Sequence, residues 1–592
     1  MATSQAKKKK TFSPLSLAWL RFAVELLQKL HIQDRHFVYL WAIFVGILGA
    51  CVALAFEYST EFLQWILTGA HAETRVDAFE QIGDWRRIAV PVVGGLLAGL
   101  TLLFTHKFVP AKATEYMEAV SLGSGKIPVR PSLLRCLSAI FSISSGAAIG
   151  KEGPLVQTAA VAASTLGQKF KLSAPRLRLM VACGAAAGIT AAFHAPLGAC
   201  LFVSEIVLGT LSINILAPML IASSTSFVLM HMLGKQKPIY EAASTTFGDI
   251  NQVLLCIVLA IIAACVAKGW LVLLKVSRSY LNGKRQFLPL RLMLAGLFVG
   301  LLACYDPHVV GNGAEIIAGL VQTVFTPEQA SIFLVLKIVA VAVVFGCGTV
   351  GGALTPSLMI GGLLGFLFST ALTAMGIGGD HAVAYTMVGM AAFFTTAANA
   401  PLTSLVLVVE FSMAGTLIFP LILAVVCSHA MSMLLKAKSM YYDSLTNGPR
   451  TAFDKHLGDV SVSDIARTTP AVVEPGDKFG SIATILLKNP GENVFVEGKN
   501  KLFLGTIIPE DVMTFAKSAT LADTVIAIDV MREDIPVLSP EMGLPAALGT
   551  FTASGMDSLA VVHPDTGKIS GIVSKGDLYQ VISEIMKREK LK

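Results

Sequence analysis

The chain has 592 residues, 54% of them hydrophobic and 14% charged, with a formal net charge of +7 and a mean hydropathy of +0.69. A soluble globular chain carries about 25% charged residues because that surface faces water, so an ordinary soluble protein is excluded.

Residues 1–34 form a polar segment with four consecutive lysines, Lys7 to Lys10. It reads as a solvated tail. Lysines ahead of a first span favour a cytoplasmic N-terminus, and the length of the polar stretch argues against a cleavable signal peptide. Apolar runs follow at 37–56, 88–104, 253–274, 292–305 and 332–345. A crossing needs roughly 20 residues, so the shorter runs predict tilted, broken or half-crossing helices. Gly95 with Gly99, and Gly296 with Gly300, have small-residue spacing, read here as close packing within one subunit rather than as a dimer face. The nine cysteines lie in or beside apolar runs without a Cys-x-x-Cys pair, the pattern of buried apolar residues rather than of a disulfide frame or metal site.

The membrane domain is predicted over 35–445, a linker over 446–459 with Asn447-Gly448-Pro449, and a soluble α/β domain over 460–592. Alternating segments at 493–496 and 558–562 read as strands of that last domain.

The membrane part contains an internal repeat. Cys183–Ile206 matches Val388–Phe411 at about ten positions with one offset, aligning Ala195-Pro196-Leu197 with Ala400-Pro401-Leu402 and Glu205 with Glu410. Upstream, each copy has a glycine-rich break ending in proline, at 150–154 and 351–356. The repeats are placed at about 35–235 and 250–445. Broken helices at matching places predict a transporter whose site lies where they meet.

Gly150-Lys151-Glu152-Gly153-Pro154 carries the chemistry. Glycine and proline inside an apolar run interrupt the helix, and the half-helix that follows presents free N–H groups and a positive dipole end to anions. A carboxylate there is itself an anion. It can occupy the site and be displaced by chloride or neutralised by a proton, which makes a gate; the alternative is a glutamate capping its own helix, though an intramembrane carboxylate is functional by default. Leu122-Gly123-Ser124-Gly125-Lys126 is no nucleotide-binding loop, because Ile127 stands where Ser or Thr is required. His194 and His231 read as packing histidines, and Glu205 and Glu410 as matched structural hydrogen-bonding residues.

These motifs, with Gly351-Gly352-Ala353-Leu354-Thr355-Pro356 and Lys438-Ser439-Met440-Tyr441, resemble the CLC family of chloride channels and chloride/proton antiporters over roughly 35–445, closest to its bacterial voltage-gated chloride channel subgroup. The resemblance implies an all-α polytopic membrane fold of two inverted repeats, and a homodimer with one pore per subunit. It implies Glu152 as the gating glutamate and chloride contacts from Ser124, Tyr441 and the amides of Ala353 and Leu354, with those of Lys151 and Gly153 beside the outer site. Tyr442 competes with Tyr441. Ala353-Leu354 departs from the family's usual Ile-Phe. Ile206 stands where many family antiporters carry the inner proton-relay glutamate, which favours a channel. The tail resembles a pair of CBS modules, about 460–517 and 524–588. Ser574 and Asp577 in the second and Asp511 in the first match positions that contact an adenine nucleotide (ATP, ADP or AMP), while Ile508 replaces the hydroxyl residue of the first.

The expectation is a non-enzymatic, dimeric chloride channel of the cell (inner) membrane, gated by Glu152 and so by voltage, chloride and pH. It needs no cofactor, binds no nucleic acid, contacts membrane lipids and keeps its N-terminus and CBS domains cytoplasmic. A chloride/proton antiporter with an unconventional inner proton path is the first alternative, and a nucleotide-sensing scaffold with a vestigial pore the second.

Overall fold

The computed structural model describes residues 34–442 and 460–581, apart from 73, 110–113, 122, 235–246, 248, 378–380, 414, 468–470, 489–492, 510, 513–524, 555 and 579–580. The basic run and the expected linker lie outside the described residues. The chain divides into two compact units, Met1–Leu445 and Thr446–Lys592.

The first unit is helical. Its repeat one runs α1 (Asp34–Thr68), α2 (Arg75–Glu80), α3 (Asp84–Phe108), α4 (Tyr116–Ser121), α5 (Val129–Ser144), α6 (Glu152–Lys169), α7 (Ala174–Phe193), α8 (Pro196–Phe202, prolonged by a π turn Val203–Leu208) and α9 (Ile213–Met232). Repeat two runs α10 (Ile250–Leu281), α11 (Leu288–Tyr305), α12 (Ala314–Val321), α13 (Pro327–Gly346), α14 (Leu354–Ala374), α15 (Ala382–Ala398), α16 (Pro401–Ser412) and α17 (Ile418–Leu434). Apart from α2, the two series correspond element by element. Among the described residues, nine helices are long and apolar enough to cross a membrane.

The helices outrun the apolar runs because capping chemistry sets their ends. α10 begins at a capping box of Asp249 and Gln252, and α13 at one of Thr326 and Gln329 with Pro327 in the first turn. The 35 residues of α1 span about 52 Å at 1.5 Å per residue, more than a bilayer core of about 30 Å, so α1 is tilted or extends beyond it.

α3 and α11 pack through their glycines. A Cβ on Gly300 would lie 2.8 Å from Ile88 Cα, one on Gly95 would lie 2.8 Å from the Leu292 carbonyl carbon, and Gly99 and Gly296 approach the backbones of Pro289 and Pro91. Both small-residue motifs therefore serve a contact within one chain, as expected. α7 and α15 form the centre: 78% of the α7 span is buried, against 33% for α1 and α9.

The second unit holds β1 (Val472–Val473), α18 (Phe479–Lys488), β2 (Val494–Glu497), β3 (Phe503–Ile507), α19 (Ala527–Val530), α20 (Leu544–Ser554), β4 (Ser558–Val562) and β5 (Ile569–Ser574). β1 pairs parallel with β2, and β2 antiparallel with β3. The second module repeats this plan: Leu538 bridges Val561 in parallel, and β4 pairs antiparallel with β5. The modules exchange bridges, Arg467 with Ile572 and Arg532 with Thr506. Such reciprocal contacts mark a two-fold relation.

Candidate anion pathway

The two glycine-rich breaks meet. Gly150 and Gly352 form an antiparallel bridge in which each amide donates to the other's carbonyl at 2.8 Å. From this junction α6 starts at Glu152 and α14 at Leu354, neither with a side-chain cap. First-turn amides have no intrahelical acceptor, so two positive helix ends converge on one place. The amide of Gly153 lies beside Gly352, where a Cβ on Gly153 would be 3.4 Å from the Gly352 nitrogen.

The Glu152 carboxylate fills the junction. It is 4% exposed. Its Oε1 accepts from Asn312 Nδ2 at 3.2 Å and from the Thr355 hydroxyl. Its Oε2 is buried without a partner among the described residues, and a Cβ on Gly352 would lie 2.9 Å from it. Glycine at 352 thus leaves the room the carboxylate uses. The Lys151 side chain turns away to pair with Glu57 at 2.6 Å, leaving backbone as what residue 151 can offer the junction.

Tyr441 packs its ring edge-on against Phe202, centroids 5.5 Å apart. Its phenol lies within electrostatic reach of Glu152 and Tyr116. Tyr442 is 44% exposed and lies under the Lys438 ammonium at 4.7 Å. Of the two tyrosines, Tyr441 is the one turned inward. Ser124 is exposed in the turn after α4. That turn is tied to the Glu152 helix, since Ser164 Oγ donates to Gly125 O at 2.6 Å and accepts from Ile127 N at 3.0 Å. The start of α4 is tied there too, with Gln157 Oε1 accepting from Tyr116 N at 2.7 Å.

Ile206 sits in the π turn at 8% exposure and brings no carboxylate. Its neighbour Glu205 accepts from the amides of Leu402 (3.1 Å) and Thr403 (2.7 Å) at the start of α16. Glu410 accepts from Leu197 (3.0 Å) and Gly198 (2.7 Å) at the start of α8. Each repeat caps the other's half-helix, the structural pairing expected of these glutamates. The histidine expectation needs correcting. His194 holds a left-handed helix end at φ +54° with Nδ1 buried and without a partner among the described residues, and His231 is exposed near the end of α9; neither is a satisfied packing residue there.

In the second unit, Asp577 accepts from the Ser574 amide and hydroxyl at 2.9 and 2.7 Å and from Arg467 at 2.9 Å. Partial burial opposes its ionisation, but the Ser574 hydrogen bonds and the Arg467 guanidinium outweigh burial and hold it below the usual carboxylate range. Asp511 accepts two bonds from Arg532 at 2.7 Å, a bidentate pair. Ile508 is buried. Each carboxylate that the resemblance assigns to a nucleotide is therefore held by an arginine of the chain.

Sequence reasoning missed Asn312, Lys337, Tyr116 and the two arginines. Thr355 lay within a recognised motif without a role. Lys337 carried a usable signal, being a lone cation in an apolar run; Asn312 offered only its place between two glycines.

The profile described as voltage gated chloride channel matches residues 94–433. A ClcB-like chloride channel protein of Ralstonia nicotianae is 36% identical over 407 residues, covering 68% of this chain and 95% of that one. The chain belongs to the CLC family. The voltage-gated ClC-type chloride channel ClcB of Salmonella typhimurium is 31% identical over 410 residues, covering 68% of this chain and 97% of its own. Among solved structures, a slow cyanobacterial Cl−/H+ antiporter superposes with a TM-score of 0.63 at 17% identity, covering 72% of this chain and 100% of its own. A eukaryotic CLC transporter superposes with a TM-score of 0.59 at 18% identity, covering 91% and 98%. At these identities the superpositions establish the fold. A CBS domain profile matches residues 526–584. The protein is thus a multi-pass CLC membrane protein with the CLC fold and a C-terminal CBS domain, of a family that moves chloride.

Proposed function

We propose that this CLC protein is a chloride channel gated by Glu152. One observation carries the reading: a buried carboxylate sits where two uncapped half-helix N-termini meet, with one oxygen that has no partner among the described residues. That is the position an anion would take. Protonation, or competition from chloride, releases the side chain and opens the path, so flux depends on pH, chloride and voltage. Tyr441, Ser124 and the amides of Ala353, Leu354, Lys151 and Gly153 are the proposed chloride contacts. Glu152→Gln imitates the protonated side chain. In proteoliposomes it is expected to give persistent chloride flux with a flattened pH dependence, and an intact pH dependence would sink the gate assignment.

Ile206 favours a channel over the antiporter reading, because isoleucine carries no proton. The antiporter reading draws on the structural neighbours, one of which is described as a Cl−/H+ antiporter. Reversal potentials separate the two: a pH step that moves the potential off the chloride value means coupling. Absence of any chloride flux would leave a vestigial pore in a scaffold. We further propose a homodimer in the cell membrane with a cytoplasmic tail, and an adenine nucleotide at Ser574, Asp577 and Asp511, where it would have to share or displace Arg467 and Arg532.

A further inference from the structure

Lys337 lies in the middle of α13, a membrane-spanning helix, and is 1% exposed. A lysine is almost never fully buried unless its ammonium is satisfied. Here the partners are backbone: Nζ donates to Val310 O at 2.8 Å and to Gly311 O at 3.0 Å. The next residue is Asn312, whose side-chain amide donates to Glu152 Oε1. The segment is anchored upstream by Val310, fully buried and donating its amide to Pro307 O at 3.1 Å, so the lysine acts on the glycine-flanked stretch that follows. Gly311 and Gly313 both take left-handed conformations, at φ +71° and +90°, and glycine costs the most entropy to fix. Besides the lysine, the Gly311 amide donates to Gly146 O at 3.2 Å, and Asn312 Oδ1 accepts from Ala314 N at 3.3 Å.

We infer that Lys337 is a positioning residue for the gate: its ammonium clamps the 310–311 carbonyls, and this clamp seats Asn312 on the Glu152 carboxylate. The inference rests on the gate reading above and assigns a structural cause to the pH at which that gate opens. A donor on a carboxylate stabilises it where it sits, so Asn312 favours the seated Glu152 side chain. Releasing the segment withdraws the donor, and the neutral, displaced side chain becomes favoured at higher pH.

Other charges face these groups. Glu315 on α12, Arg75 on α2 and Asp306 after α11 lie within electrostatic reach of Lys337, and Asp306 pairs with His308 at 2.9 Å. Glu152 is met by Thr355, by Tyr441 and, one residue back, by the Lys151–Glu57 pair, with His194 within reach of that pair. Among the described residues, the 310–311 carbonyls take their side-chain hydrogen bonds from Lys337 and not from these groups, so the clamp is specific to Lys337.

The test is chloride efflux from proteoliposomes of the full-length protein, read as the pH of half-maximal rate. Asn312→Ala and Lys337→Met are each expected to move it upward by roughly one pH unit, about 1.4 kcal/mol, while Lys337→Arg, which keeps the donors, stays near the parent. The double variant should move no further than the larger single shift, since both act through one contact. An unmoved curve for either Asn312→Ala or a monodisperse Lys337→Met overturns the inference. So does a double variant whose shifts add, which would mean that Lys337 acts through its charge alone. If Lys337→Met does not fold, Lys337→Gln replaces it: glutamine is one atom shorter and reaches at most one carbonyl, so a partial upward shift is expected and none overturns the inference. Glu152→Gln is run alongside. An intact pH dependence there fails the gate reading itself; a flattened one, with Asn312→Ala and Lys337→Met unmoved, fails only the clamp.

Discussion

At the scale of single residues, the glycines of the junction and the carboxylate between them were legible, because helix breakers and an acidic residue inside an apolar run have no ordinary packing role. The donors on that carboxylate were not. Asn312 reaches Glu152 across 160 positions of sequence, and no local pattern encodes such a pairing. The same holds for choosing between adjacent tyrosines. Tyr441 is turned inward against Phe202, whereas Tyr442 faces outward beneath Lys438. Removing the Tyr441 hydroxyl is therefore expected to weaken chloride binding about ten-fold or more, the equivalent of one hydrogen bond to a charged acceptor at about 1.5–3 kcal/mol. Tyr442→Phe should leave it unchanged. Calorimetric chloride titration of the two variants checks this, and equal effects would mean that the inward tyrosine has been misassigned.

At the scale of elements, apolar periodicity located helices but understated them. The run at 253–274 lies inside a helix that extends over Ile250–Leu281, because polar residues such as Asn251, Gln252 and Arg278 continue helical geometry without contributing to an apolar run. The short α4 and α12 gave no separate signal, at 6 and 8 residues. The internal repeat, by contrast, was visible in sequence, and its structural consequence is the exchange of caps between α8 and α16. Two backbone amides and the Thr403 hydroxyl, the last at 2.6 Å, converge on Glu205. Losing a side-chain cap at a helix N-terminus costs about 0.5–2 kcal/mol, towards the upper end where the acceptor is charged. Glu205→Ala leaves the amides of α16 without that acceptor and should destabilise the folded protein by about 2 kcal/mol; Glu205→Gln, retaining one oxygen, should cost less. Thermal unfolding in detergent measures both. Equal melting temperatures for Glu205→Ala and the parent would show that the caps do not carry the contact between repeats.

At the scale of the whole molecule, the two units have separate cores, one drawn from residues up to Val425 and the others beginning at Val462. Their stabilities should therefore respond separately to acid. In the second unit two carboxyls are held below the usual carboxylate range. Asp577 is held there by Ser574 and Arg467 against the opposing effect of burial, and Asp464 by the Ser461 amide and hydroxyl. A carboxyl whose folded pKa lies below its unfolded value of about 3.9 contributes fully above that value, and the contribution is lost as pH falls through the folded value. Acid must therefore loosen this unit, and the loss should begin below about pH 4. Hydrogen exchange of the full-length protein reads the effect locally: peptides over Ser558–Ser574 should lose protection as the medium is acidified. Asp577→Asn removes the ionisation together with the Arg467 ion pair, so the variant should start less protected and change less with pH. Acid-induced exchange of equal size in variant and parent would show that the Asp577–Arg467–Ser574 cluster does not govern the unit's stability.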